Sequence, residues 1–436
     1  MPITSEALPR LQRYAVAGVG PFSGALAQFL LSLLVLRSLG AAEFGTFSFL
    51  IIASIFSAGV CSALFCAPLP ALLHKSGQAE RAALLRCIFA MSGMAALLAL
   101  AVFLGMGLAL RLPFVEALLF AIYAALFLLR WFGRSYFYAI GDRLRTARSD
   151  IVYSAVLLVG IGGLAATGRV SLQLSFAVLL VSILAALLTF GLPYLQRQFL
   201  SFYPAAFADY RPIWRAHSGW SLLGIVTTEA TINSHAYIVT LIAGPTAYAP
   251  VAATALLVRP LNVLQNALEE FERPQMAAEL AGGRMHAVIH SAAQFRLVLF
   301  AGLLATALAA AVMFVLFPNV LFPREYSMAV LITGAALWIG AAAVRLVRVP
   351  DSTMLQAGGE FRRLAWSSVV ACGFSIVSVL FLLALAGPIW SIGGIIIGEI
   401  AFCTCVLHQS RRWRSSPEGA NRRKALATST PRAGQP

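Results

Sequence analysis

The sequence predicts an all-α polytopic membrane protein, with twelve transmembrane helices arranged as two six-helix lobes. Three observations predict it. Hydrophobic residues make up 60% of the 436 residues and charged residues 11%, with mean hydropathy +0.84; a soluble domain is about 45–50% apolar and about 25% charged. The apolar residues gather into twelve stretches, each near the roughly 20 residues that cross a bilayer. Finally, 27 of the 32 Lys and Arg residues fall in alternate connections between those stretches.

The predicted spans are 14–36, 47–72, 84–110, 113–130, 151–167, 171–192, 219–242, 247–268, 297–317, 328–347, 364–386 and 389–408. They are too long and too uniformly apolar for barrel strands, and only helices or closed barrels satisfy the backbone in lipid. The polar residues 1–13 lead into an apolar run with no A-x-A-like end, so this run is expected to stay as the first helix.

One set of connections holds Arg10, Arg13, Lys75, Arg81, Arg86, Arg130, Arg134, Arg143, Arg145, Arg148, Arg197, Arg211 and Arg215. It continues through Arg273, Arg284, Arg296, Arg345, Arg348, Arg362 and Arg363 into the basic tail, Arg411 to Arg432. The opposite set holds Arg37, Arg111, Arg169 and Arg324. The positive-inside rule then places both termini in the cytoplasm. Arg259 belongs to neither set, because it lies inside the eighth span. A net charge of +15 in a soluble protein would point to nucleic acid; here the cations sit between apolar spans, and no nucleic-acid partner is expected. The six Cys lie in or beside apolar spans and read as small core hydrophobes.

The chain divides into an N-terminal lobe over 1–192, a cytoplasmic linker over 193–218, a C-terminal lobe over 219–408 and a disordered basic tail over 409–436. Two matches support an internal repeat. Gly40 is followed by Phe44, and Gly244 by Tyr248. Ala139–Arg145 carries Gly141-Asp142, and Ala357–Arg363 carries Gly359-Glu360, each followed by basic residues. An even number of spans per half makes the halves parallel repeats related by a pseudo-two-fold axis, with the substrate path expected where they meet.

The segment Gln28–Ser48, with its Leu39-Gly40-x-x-x-Phe44-Gly45 turn, resembles the first helix and turn of bacterial polysaccharide flippases. These are the Wzx-type O-antigen and exopolysaccharide transporters of the multidrug/oligosaccharidyl-lipid/polysaccharide exporter superfamily. Trp220 through Pro260 resembles their seventh and eighth helices, although Tyr248 is followed by Ala249 and not by Gly. The resemblance implies the exporter-superfamily fold. It also implies transport of an undecaprenyl-pyrophosphate-linked oligosaccharide across the inner membrane, with a polysaccharide polymerase as a partner. That family has no strict catalytic signature.

Charges inside a bilayer normally face a cavity or a partner. The seventh span carries Glu229, Asn233 and His235; Glu229 and Asn233 are four apart and share a face. On the eighth, Arg259, Asn262 and Asn266 also share one face. Glu229 and Arg259 match in depth. Either they pair to hold the two helices together, or they form a polar wall where Arg259 grips a pyrophosphate. Pro260, following Arg259, is expected to open or bend its helix, and Pro21 to do the same in the first span. Glu399 reads as a buried protonated acid or as an ion-coupling site, a role Glu229 shares, for a proton or sodium. Gln28 is expected to face the cavity. No cofactor, P-loop, metal triad or Ser-His-Asp set is indicated, which disfavours an ATP-driven pump. Two other functions stay open: an ion-coupled drug exporter of the same superfamily, and a membrane polymerase or ligase. The tiny far-side loops 243–246 and 387–388 argue against the enzyme.

Overall fold

Every described element is a helix. The computed structural model describes residues 7–67, 69, 78–316, 322 and 326–415, with no strand among them. The chain separates into two compact units, Met1–Val226 and Thr227–Pro436.

The first unit holds α1 (Ala7–Ser38), α2 (Ala41–Cys61, running on into a π turn, Ser62–Cys66), α3 (Gln78–Ala109), α4 (Phe114–Ala139), α5 (Arg143–Thr167) and α6 (Leu172–Leu188). Two short helices follow, α7 (Leu192–Leu200) and α8 (Ala206–Ile213). Next comes α9 (Gly219–Ala243), in which the boundary between the units falls. The second unit continues with α10 (Pro245–Ala255), a 3-10 turn (Leu256–Val258), α11 (Arg259–Ala281), α12 (Met285–Leu316), α13 (Met328–Ala357), α14 (Phe361–Ala386) and α15 (Ser391–Ser415). The described part of each predicted span lies on one or two of these helices. Among the described residues, nine helices are long and apolar enough to cross a membrane, or ten when the pair α6 and α7 is counted as one.

The repeat is visible as matched turns. At the end of α4, Gly141 has φ +85°, the Asp142 N–H donates to the Phe137 carbonyl at 2.9 Å, and the Gly141 N–H donates to Tyr138 at 3.1 Å. At the end of α13, Gly359 has φ +77°, with Glu360 bonded to Leu355 at 2.9 Å and Gly359 to Gln356 at 3.0 Å. Both are Schellman caps, which require the left-handed conformation glycine adopts without strain. Phe44 and Tyr248 likewise sit in the first turns of α2 and α10, fully buried, with N–H groups bonded to Gly40 and Gly244.

Helix pairing repeats as well. In the first unit α1 and α5 are joined by Ser23–Ser154 at 2.9 Å and Gln28–Tyr153 at 3.0 Å. In the second, α9 and α14 are joined by Thr227–Ser368 at 2.7 Å, and the Ser375 hydroxyl donates to the Thr231 carbonyl at 2.9 Å. Hydroxyls in such seams take the place of a hydrophobic drive, which lipid does not supply between helices.

The stretch 193–218 contains helices α7 and α8 together with a π turn, Trp214–Ser218. One sequence expectation changes. The last helix runs to Ser415, so 409–415 is folded; Trp413 is fully buried and Arg414 pairs with Asp351. The remainder of the tail, 416–436, lies outside the described residues.

Candidate functional site

Helices α4 and α13 each carry a pair of arginines around one buried carboxylate. On α4, Arg130 and Arg134 are four apart and share a face. Arg130 Nη2 lies 2.6 Å from Asp150 Oδ1, and Arg134 Nε lies 2.8 Å from the same oxygen. Arg130 also donates to Ser149 Oγ at 3.0 Å, and its guanidinium stacks 4.6 Å over the Tyr153 ring. Tyr153 accepts from Gln28, so α1 joins the same network.

On α13, Arg345 and Arg348 embrace Glu399 of α15. Arg345 Nε is 2.8 Å from Glu399 Oε1, and Arg348 Nη2 is 3.1 Å from Oε2. Glu399 is 0% exposed, and the Arg348 guanidinium lies 3.9 Å over the Phe402 ring. A third carboxylate, Asp351 at the end of α13, takes Arg296 at 2.6 Å, Arg414 and the Ser410 hydroxyl. Each of these carboxylates is therefore met by two guanidinium groups, and two further acids, Glu229 and Glu269, lie within electrostatic reach of Arg345.

These clusters correct the sequence reading. The charge alternation puts Arg130, Arg134, Arg345 and Arg348 in connections between spans; they lie inside helices that continue past the predicted span ends. Glu399 is not isolated in its helix, because two arginines occupy both of its oxygens. One signal pointed to them. Arg130 and Arg345 stand 215 residues apart, and Arg134 and Arg348 stand 214 apart, close to the offset of 218 between the matched turns.

The other candidates divide. Asn233 Nδ2 donates to Glu229 Oε1 at 2.8 Å, as their shared face requires. No ion pair joins Glu229 to Arg259 among the described residues. Arg259 opens α11, directly after the 3-10 turn. Pro260 accounts for that break: it lacks the N–H that would reach the Leu256 carbonyl, and its ring crowds that carbonyl. Asn262 is half-buried and Asn266 exposed on the same helix, where the neighbouring Gln265 donates to Glu269 at 2.7 Å. His235 does not line an open face. Its ring packs 5.1 Å from Trp338 and 6.0 Å from Tyr248, inside the second unit. Gln28 is tied to Tyr153 and, at 3.5 Å, to Tyr123.

Solved structures share this architecture. An inward-facing multidrug resistance MATE family transporter of the MOP superfamily aligns with a TM-score of 0.65 at 13% identity, over 96% of this chain and all of that one. The lipid II flippase MurJ in an inward closed conformation aligns with a TM-score of 0.65 at 9% identity, over 94% and 90%. The chain has the fold of these transporters. A eukaryotic MATE transporter, AtDTX14, aligns with 0.64 at 15% identity, over 97% and 99%. No protein-family model matches the chain, and no curated protein does. The MOP fold thus agrees with the exporter superfamily that the Gln28–Ser48 segment resembles. These neighbours are transporters and not enzymes.

Proposed function

We propose that the chain is a flippase of the bacterial inner membrane. It moves an undecaprenyl-pyrophosphate-linked oligosaccharide outward by alternating access, for O-antigen or exopolysaccharide synthesis. The observation that carries this reading is the pairing of two guanidinium groups with each of the buried carboxylates Asp150, Glu399 and Asp351. This concentration of guanidinium groups favours an anionic head group over a cationic drug. Arg259 adds a further cation at a helix break, beside Asn262, and its fork suits a pyrophosphate. Glu269 and Glu272 follow on α11, and Glu269 lies within electrostatic reach of Arg345 and Arg348.

Glu229 favours the second reading, an ion-coupled drug exporter. Its hydrogen-bond partner is the neutral Asn233, with Arg345 within electrostatic reach, so it stands with Glu399 as a coupling candidate for a proton or sodium. A polysaccharide polymerase is the expected partner of the flippase.

Arg259→Ala is expected to abolish surface polysaccharide while leaving the protein at its normal level in the membrane. Undiminished polysaccharide from that variant removes Arg259 from the mechanism. Greater drug susceptibility of a deletion strain, with intact polysaccharide, would favour the exporter instead.

A further inference from the structure

Outside the arginine–carboxylate clusters, the first unit carries a second basic feature, at the start of α3. A cavity of about 390 Å³ is lined by Arg81, Leu85 and Arg86 of α3 and by Arg197 and Ser201 at the end of α7. None of these three arginines makes an ion pair among the described residues. They are nonetheless held in place. The Arg86 guanidinium stacks 4.9 Å over the Tyr203 ring, and Arg197 Nη1 donates to the Tyr136 hydroxyl at 3.0 Å. Of the nearby acids, Asp209 accepts from the Tyr203 hydroxyl at 2.8 Å, and Glu80 stands beside Arg81 in the first turn of α3.

Further along α3 lies an apolar groove of about 210 Å³. Gly93, Leu97 and Leu100 form one wall, Leu126 of α4 another, and Phe199 and Phe202 close the end nearest the arginines. Leu85 and Leu97 are twelve residues apart, which is about 18 Å at helical rise. Head and groove therefore lie along one helix and share one lip.

That lip is α7, which turns 106° away from α6. Its buried face anchors it: the Tyr194 hydroxyl donates to the Leu129 carbonyl at 3.3 Å, and Gln198 Nε2 donates to Ser92 Oγ at 3.1 Å. Its other face exposes Leu192, Phe199 and Leu200, the last by 78%. A short helix with large apolar side chains outward, set across a spanning helix, lies in the membrane interface. The arginine pattern puts this end of α3 on the cytoplasmic side.

We propose that Arg81, Arg86 and Arg197 bind the phosphate of one anionic glycerophospholipid of the cytoplasmic leaflet, with an acyl chain in the groove between α3 and α4. Basic pockets at this level recognise anionic lipid head groups. The paired guanidinium forks suit a phosphate, and the uncharged groove suits a hydrocarbon chain. Gly93 sets the groove's opening: a Cβ there would stand 3.0 Å from Phe202 Cζ, and a larger side chain would push that ring into the groove. The site does not depend on what the protein transports.

The test is native mass spectrometry and thermal unfolding of the purified full chain in detergent, with phosphatidylglycerol, phosphatidylcholine or inorganic phosphate added. Phosphatidylglycerol should be retained and should raise the unfolding temperature, while phosphatidylcholine should do neither. Arg81→Gln with Arg86→Gln should weaken retention about tenfold or more, and the corresponding double Lys variant should restore most of it. Gly93→Leu, which leaves the arginines intact, should reduce lipid retention as well. Equal retention of the two lipids, or no loss in both the Gln variant and Gly93→Leu, overturns the proposal. A stabilisation that inorganic phosphate reproduces in full overturns the lipid as occupant.

Discussion

Glu399 shows how a single residue changes meaning once its neighbours are known. In sequence it is one acid in an apolar helix beside Gly394 and Gly398. In the fold it is the shared counter-ion of Arg345 and Arg348. Removing one partner of a buried ion pair leaves uncompensated charge and costs about 3–5 kcal/mol. Here Glu399→Ala strands two guanidiniums, so it should destabilise the protein by at least that range, measured as thermal unfolding in detergent. Arg345→Ala in the same chain should add much less than its own single effect, as coupled sites do. An additive pair of losses would show that Glu399 and Arg345 are not energetically linked. The polar face of Glu229 and Asn233 was legible because four-residue spacing on a helix fixes it. The partner of Arg259 was not, since depth along two helices does not fix side-chain reach.

Elements depend on close approach. A Cβ on Gly394 would lie 2.4 Å from the Val379 backbone N, and one on Gly398 would lie 2.5 Å from Ser375 Cβ. Those glycines let α14 and α15 pack backbone to backbone, the small-residue logic of membrane helices. Gly394→Ala should therefore cost about 1–3 kcal/mol through overpacking, read as a lower unfolding temperature. An unchanged value would mean that the two helices can separate freely. The end of α15 provides a second case at this scale. Its composition from 409 onward is polar and basic and reads as a solvated tail. Trp413 nevertheless packs against Gly358, and Ser410 and Arg414 bond Asp351. Truncation after His408 should lower stability sharply, and truncation after Ser415 should leave it nearly unchanged, judged by detergent-solubilised yield and melting. Equal behaviour of the two truncations would contradict a structural role for residues 409–415.

At the scale of the molecule, the arginine distribution is the argument for orientation. Three of the counted cations, Arg130, Arg345 and Arg348, are nonetheless buried within helices. The rule concerns short loops near span ends and tolerates such subtraction. Reporter fusions at either terminus should therefore give cytoplasmic signals, and labelled cysteines in 243–246 should react from outside; the reverse pattern would overturn the orientation. The sequence by itself determined the membrane class, the positions of the spans and the repeat turns at Gly141 and Gly359. Each of these follows from local hydropathy or from one residue's backbone freedom. Only the tertiary structure decided which charges are solvated and which are buried counter-ions. Asp150 lies 20 residues from Arg130, Glu399 lies 54 from Arg345, and Asp351 lies 63 from Arg414. Pairing across such separations is set by which helix faces meet, a property that no single segment of chain contains.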